Sequence, residues 1–355
     1  MSKVLMKGNE AIGEGAIRAG CRHFFGYPIT PQSELPHYLA KRMPEVGGVF
    51  LQAESETSSI NMVYGAAGAG FRVMTSSSSP GLSLMQEGIS YLVGAELPCV
   101  IVNVMRGGPG LGNIAPAQSD YFQAVKGGGH GDYTLVVLAP ASVQEIIDLM
   151  QVAFDVSDKY RTPVMLVGDG ILGQMMEPVE LADEVTVPEI PAKPWAASGL
   201  KGRGKPNIIN SLYIVPEVCE ELNKKLYAKY EAIAAEETRW EEYQLDDAEI
   251  VLTGFGTAAR IAKSVVDKAR AEGIKAGLIR PITLWPFPSE VYARAAEHTE
   301  KFLCVEMNMG QMVEDVRLAV NGKKPVCFYG RSGGMVPLAK DVLAEVKKIM
   351  AGGAE

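Results

Sequence analysis

The first half of the chain alternates short, almost wholly apolar runs with segments of helical period, and that alternation decides most of what the chain can become. Runs at 23–25, 48–53, 71–75, 99–104, 134–138 and 164–167 are rich in β-branched or apolar residues and show little polar alternation. A strand that is apolar on both faces has to be covered on both faces. The pattern therefore predicts a parallel sheet with helices on either side, the doubly wound α/β class. Helical segments fall between the strands: 9–19, with Ile12, Ala16 and Ile17 on one face, a second after Pro31, a third carrying Ile60, Val63, Ala66 and Ala67, and a fourth at 82–94. In such sheets ligands bind beyond the carboxyl ends of the strands, so the loops there are where function is sought.

At 355 residues the chain exceeds one ordinary domain, for which ~150 residues is the guide. The expected division is a first α/β domain over 1–178, a linker with a long charged helix over 179–245, and a second α/β domain over 246–355. No stretch approaches ~20 consecutive apolar residues, so no membrane span is expected. The amino terminus lacks the apolar core of a secretory signal, which points to the cytoplasm. A net charge of −8 argues against a nucleic-acid-binding face. The five cysteines, Cys21, Cys99, Cys219, Cys304 and Cys327, stand far apart with no C-x-x-C. Buried reduced thiols are expected, and no metal is assigned to this chain. Any iron–sulfur centre the function needs must lie on another chain.

Four strand ends carry unusual loops. The first is Tyr27-Pro28-Ile29-Thr30-Pro31, where two prolines stiffen the backbone around Thr30 and a helix follows whose N-terminus favours an anion. The second is Glu54-Ser55-Glu56. Glu54 reads as a first-turn carboxylate that complements its helix, whereas Glu56 opens a helix of very small residues, Gly65-Ala66-Ala67-Gly68-Ala69-Gly70, that permits close approach of another backbone or subunit. The third is the hydroxyl-rich Thr75-Ser76-Ser77-Ser78-Ser79-Pro80-Gly81. The fourth is Arg106-Gly107-Gly108-Pro109-Gly110-Leu111-Gly112, in which the arginine fork suits a carboxylate. A threonine, a carboxylate, a run of hydroxyls and an arginine thus converge on one rim.

Taken with Gly128-Gly129-His130-Gly131-Asp132, these loops resemble, in the same order, the alpha-type subunit of the 2-oxoacid:ferredoxin oxidoreductases, with the greatest likeness to the branch acting on 3-methyl-2-oxobutanoate. The resemblance implies a thiamine diphosphate enzyme to which this chain supplies the pyrimidine-binding domain and a transketolase C-terminal-like domain. A beta-type subunit would supply the diphosphate site, Mg²⁺ and a [4Fe–4S] cluster. A gamma-type subunit, ferredoxin, coenzyme A and the 2-oxoacid complete the implied partners. Carried onto this sequence, Glu56 would hydrogen-bond the pyrimidine N1′, Thr30 would touch the substrate carboxylate and Arg106 would pair with it. Tyr27, Pro28, Ile29, Ser79, Pro80 and Gly81 would line the cofactor. A carboxylate at N1′ favours the tautomer in which the 4′-amino group can take the cofactor's C2 proton. One position departs from the family pattern: Ser79 stands where glycine usually precedes Pro-Gly, which bears on the backbone path of that loop.

The second half continues the alternation, with strands at 249–253, 276–279, 301–305 and 325–329 and helices at 215–243, 258–272, 289–297 and 336–350. Gly254-Phe255-Gly256-Thr257-Ala258-Ala259 imitates a dinucleotide fingerprint, but no acid follows at ~20 residues for a ribose. Asp169 in Gly168-Asp169-Gly170 likewise lacks the asparagine of a Mg²⁺-diphosphate motif. Arg106 is the only basic residue of the four rim loops, with Lys126 and His130 further on, and a second substrate carboxylate would require a second cation. A branched-chain 2-oxoacid is therefore the expected substrate, 2-oxoglutarate the alternative. A non-catalytic scaffold of the same fold is the reading of another class.

Overall fold

The computed structural model describes residues 2–182, 185 and 187–352. In chain order, β1 (Ser2–Lys7), α1 (Gly8–Arg18), β2 (His23–Gly26), α2 (Glu34–Glu45), β3 (Val49–Gln52), α3 (Glu56–Gly68), β4 (Val73–Ser77), α4 (Ser79–Gly94), β5 (Cys99–Met105), α5 (Tyr121–Val125), β6 (Val136–Leu138), α6 (Val143–Tyr160), β7 (Pro163–Asp169), α7 (Gly170–Gln174) and β8 (Met176–Leu181) form the first unit. After the linker come α8 (Pro216–Glu237), β9 (Trp240–Tyr243), β10 (Ile250–Thr253), α9 (Gly256–Ala271), β11 (Ala276–Pro281), β12 (Thr283–Trp285), α10 (Ser289–Ala295), β13 (Lys301–Glu306), α11 (Met312–Val320), β14 (Val326–Gly330) and α12 (Ala339–Met350).

The main sheet has seven strands in the order β12-β6-β7-β5-β4-β2-β3, parallel except at β12. Its central strands β4 and β5 are buried along their whole length, β5 as its apolar sequence requires and β4 although it ends in Thr75, Ser76 and Ser77. The chain leaves β2 toward β3 on one side and comes back to β4 on the other. This reversal opens a crevice at the carboxyl ends of β2 and β4, where ligands of doubly wound sheets bind.

The second sheet, β14-β13-β10-β11-β9, is parallel except at β9. Two of its connections differ from the sequence expectation. The long helix stops at Glu237, because Trp240–Tyr243 is drawn out as an edge strand beside β11, where Glu241 meets the buried Arg280 at 2.7 Å. β12 had no signal in the sequence; it leaves the second unit and closes the edge of the first sheet against β6. The linker is not free either. The Ala197 N–H donates to the Gly68 carbonyl at 2.8 Å, and the Arg161 guanidinium lies 4.4 Å over the Trp195 ring.

The amino-terminal helix holds the first rim loop from behind. Buried Asn9 donates through Nδ2 to the Pro31 carbonyl at 2.8 Å and to Glu34 at 2.9 Å, while Lys7 and Gln174 reach the same carboxylate at 3.0 and 2.8 Å. Partial burial pushes the Glu34 carboxyl up, but the hydrogen bonds from Lys7, Asn9 and Gln174 prevail and bring it down to about 2. A depressed carboxyl contributes stability that is complete above its unfolded value of ~4.3 and fades as pH falls through the folded value. The gap in thermal midpoint between wild type and Glu34→Gln is therefore expected to be widest near neutrality and to close as pH is lowered from ~4.3 toward ~2. A gap of constant width across that range would show that the charge of Glu34 adds nothing.

Candidate active site at the strand ends

The loop after β2 leaves Tyr27, Pro28 and Thr30 exposed and Ile29 half-buried. Gln32 behind it is fully buried and ties it to the end of β4: its Nε2 donates to the Tyr27 carbonyl at 3.3 Å, and its Oε1 accepts the Ser76 hydroxyl at 2.6 Å. The helix expected after Pro31 begins at Glu34, after a turn in which the Leu35 N–H bonds the Gln32 carbonyl. The head of α2 thus receives its negative charge from Glu34. The Thr30 hydroxyl makes no hydrogen bond among the described residues. Its carbonyl does, accepting Nη1 of Arg106 at 3.0 Å.

Glu56 is the first residue of α3 and is only 5% exposed, whereas Glu54 faces solvent. Ser55 caps the helix through the Ser58 N–H at 3.1 Å, which turns the Glu56 side chain inward. The carboxylate receives one long hydrogen bond, from the Ser77 hydroxyl at 3.4 Å, and its other oxygen receives none among the described residues. A buried carboxylate so poorly satisfied is expensive unless a further donor arrives, and a protonated pyrimidine nitrogen is such a donor.

The hydroxyl-rich stretch is not a loop. Thr75, Ser76 and Ser77 belong to β4, Ser78 is the cap, and Ser79-Pro80-Gly81 form the first turn of α4, where proline's fixed φ and missing N–H are favourable. Gly81 is required there: a Cβ would fall 1.9 Å from the Ser77 Oγ and 2.5 Å from the Glu56 Oε1.

Arg106 follows β5 and is 9% exposed. Nη1 and Nη2 donate to the carbonyls of Thr30 and Leu111 at 3.0 and 3.1 Å, Nε is buried without a partner, and the guanidinium forms no ion pair among the described residues. An incoming carboxylate would meet unused donors in a fork geometry.

Asp120, which sequence reasoning missed, stands behind Ser79 and Arg106. Its Oδ2 accepts the Ser79 hydroxyl at 2.6 Å and the Asn103 amide at 2.9 Å, and the Ser79 Oγ in turn accepts the Arg106 backbone N–H at 3.0 Å. Burial pushes the Asp120 carboxyl up, opposed by those two side-chain hydrogen bonds. The residue sits in a stretch of no periodicity, so the sequence held no signal for it. Ser79 and Asp120 also wall a cleft of about 560 Å³ closed on its far side by Asn308, Gln311 and Gly333 of the second unit.

Residues 14–241 match the family model for the thiamine-diphosphate-binding domain of the pyruvate flavodoxin/ferredoxin oxidoreductases, and 248–342 match core domain II of pyruvate:ferredoxin oxidoreductase. The chain belongs to the 2-oxoacid:ferredoxin oxidoreductase family, as a subunit of a multi-subunit enzyme. It is 52% identical over 349 residues, covering 98% of both chains, to the ketoisovalerate oxidoreductase subunit VorB of Methanothermobacter marburgensis. The solved 2-oxoglutarate:ferredoxin oxidoreductase from Magnetococcus marinus, with 2-oxoglutarate, coenzyme A and succinyl-CoA bound, is similar at a TM-score of 0.87 and 30% identity; the match covers 98% of this chain and 65% of that longer one. A split-gene transketolase, an inactive beta4 tetramer, matches at a TM-score of 0.62 and 15% identity over 98% of each chain, which speaks for the shared fold alone.

Gly81→Ala should lower the thermal midpoint by the equivalent of ~1–3 kcal/mol, the usual cost of overfilling a packed site. Gly65→Ala, whose Cβ meets nothing within 4 Å, is the matched control and should not. Equal midpoints for the two variants would mean that Glu56 and Ser77 yield freely.

Proposed function

We propose that this chain is the subunit of a cytoplasmic, ferredoxin-reducing 2-oxoacid dehydrogenase that recognises the 2-oxoacid and the pyrimidine of thiamine diphosphate. The reaction is oxidative decarboxylation of 3-methyl-2-oxobutanoate with coenzyme A to acyl-CoA and CO₂. The observation that carries this reading is a pair of buried groups of opposite sign at one set of strand ends, each with only part of its hydrogen-bonding capacity used: the Glu56 carboxylate, with one long bond from Ser77, and the Arg106 guanidinium, whose Nε has no partner.

Bound thiamine diphosphate supplies the nucleophilic carbon and the electron sink that decarboxylation of a 2-oxoacid needs. Glu56 holds a proton at the pyrimidine N1′, and its burial strengthens that hydrogen bond. Arg106 pairs with the substrate carboxylate through the donors its two carbonyl contacts leave free, and the Thr30 hydroxyl beside it adds a further donor. Tyr27, Pro28, Ile29 and the first turn of α4, Ser79-Pro80-Gly81, form the walls against which the cofactor rests. A beta-type subunit contributes the diphosphate and Mg²⁺ half of the site and the [4Fe–4S] cluster, and a gamma-type subunit completes the complex. The exposed face of α3 at Gly65, open to a close neighbour, suits such an assembly.

Substitution of Glu56 by Gln should slow exchange of the cofactor's C2 proton by ~10²-fold or more while leaving the complex assembled. Exchange at the wild-type rate in Glu56→Gln would move the role to another carboxylate.

The side-chain preference follows from charge. Lys126 is paired with Asp315, whose other oxygen takes the Tyr121 hydroxyl, and exposed His130 offers its carbonyl to Ser90. Arg106 thus remains the one basic residue of the four rim loops, and a second buried carboxylate would find no counter-charge among them. The 52% identity to a ketoisovalerate subunit points the same way. On the assembled complex kcat/KM should favour 3-methyl-2-oxobutanoate over 2-oxoglutarate. Discrimination among apolar acids should be modest, because one methylene is worth only ~1–3 kcal/mol. Preference for the dicarboxylate would overturn this assignment.

A further inference from the structure

The second unit grips one short segment of the first. Residues 118–122 make five hydrogen bonds to 307–315: the Gln118 N–H to the Met307 carbonyl at 3.0 Å, the Asn308 amide to the Gln118 carbonyl at 2.8 Å, the Gln311 Nε2 to the Ser119 carbonyl at 2.8 Å, the Phe122 N–H to the Gln311 Oε1 at 2.9 Å, and the Tyr121 hydroxyl to Asp315 at 2.6 Å. The Gln311 amide brackets Asp120 from both sides. Gln311 is itself fixed, since fully buried Glu306 accepts the N–H groups of Gln311, Met312 and Val313 and the Asn308 amide.

On the other side, Asp120 is the hub of a closed ring. It receives the Ser79 hydroxyl and the Asn103 amide, the Ser79 N–H donates to the Asn103 Oδ1 at 3.1 Å, and the Ser79 Oγ ends on the backbone N–H of Arg106. We infer that Asp120 and Gln311 are positioning residues for Arg106, through which the second domain sets where the guanidinium meets the substrate carboxylate. This rests on the reading of Arg106 given above. With only two carbonyls on its guanidinium, Arg106 is placed mainly by its own backbone, and a displacement of ~1 Å at a substrate-orienting group is enough to cost up to ~10²-fold.

The test uses the assembled complex, with kcat, KM for 3-methyl-2-oxobutanoate, thiamine diphosphate content and thermal midpoint measured together. Asp120→Ala, Gln311→Ala and Ser79→Ala are expected to raise KM about tenfold, the first two with cofactor content unchanged, since each breaks the line to Arg106. Asp120→Asn should restore a near wild-type KM, because one amide oxygen can accept both hydrogen bonds that now fall on Oδ2. Tyr121→Phe loosens the same inter-domain contact without touching Asp120 or Gln311, and should lower the midpoint but leave KM alone. The inference is overturned if Ser79→Ala and Gln311→Ala leave KM unchanged, if Asp120→Asn is as impaired as Asp120→Ala, or if Tyr121→Phe shifts KM equally. Arg106→Lys separates the two levels: an unchanged KM there sinks the role of Arg106 itself, whereas a raised KM in Arg106→Lys with none in the others sinks only the positioning line.

Discussion

Two buried groups of opposite charge, Glu56 and Arg106, form no ion pair among the described residues, and the first turn of α4 is built against both. An isolated buried charge costs several kcal/mol, so each of the two needs a partner of its own or a ligand. The first turn of α4 stands between them. Gly81 abuts the Glu56 carboxylate, where no Cβ fits, and Ser79 two residues earlier holds the Arg106 backbone. Each charged group is then partly compensated by its own neighbours, Glu56 by the Ser77 hydroxyl and Arg106 by two carbonyls. Both retain the capacity for a ligand of complementary charge, which a salt bridge between them would abolish.

The elements that depend on burial alone were legible in the sequence. β5, β6 and β7 are short, largely apolar runs because both faces are covered, and strands of that kind separated by helices imply parallel pairing. The first and fourth rim loops were legible for a related reason: Pro28, Pro31 and the glycines after Arg106 restrict or release the backbone locally, and local restrictions leave local signatures; the stretch 75–81, expected as a loop, is the end of β4 and the first turn of α4. What escaped was decided through space. β12 has three residues and gains its place only by finding the edge of β6, and the end of α8 is set by β11 rather than by any stop signal between 237 and 240. Asp120 and Gln311 belong to the same class. Gln311 meets Phe122 across 189 positions of chain, and Asp120 meets Ser79 across 41, separations that no window of periodicity spans.

The glycine-rich turn at 254–259 shows how one local pattern serves two ends. Gly256 adopts φ +52°, a left-handed conformation that glycine takes without strain, and the turn opens α9 as a dinucleotide fingerprint would. Its open side is filled from within the chain. The Gln118 amide donates to the Phe255 carbonyl at 2.8 Å, and the Thr257 hydroxyl donates to Asp169 at 2.9 Å, where Asp169 also caps α7 through the N–H groups of Ile171 and Leu172. Close backbone approach is the shared requirement; here what approaches is the other domain. The missing ribose acid was therefore the informative feature, since glycine spacing alone reports the approach and not its object.

Ser79, where the family resemblance implies glycine, illustrates how an added hydroxyl can be absorbed. A hydroxyl in place of a glycine hydrogen at a 9% exposed position would be a buried polar group, costing ~1–3 kcal/mol if left without partners. It has partners on both sides, donating to Asp120 and accepting from Arg106. The dependence runs in the other direction as well. With glycine at this position, the buried Asp120 carboxylate would keep only the Asn103 amide among its present side-chain donors, and its ionised form would lose its shortest hydrogen bond. Serine and aspartate therefore form a unit: the hydroxyl makes the buried carboxylate tolerable, and the carboxylate, held also by the Asn103 amide, gives the hydroxyl a fixed direction. The first turn of α4 acquires a rigidity that glycine, with its free backbone and no side chain, does not supply.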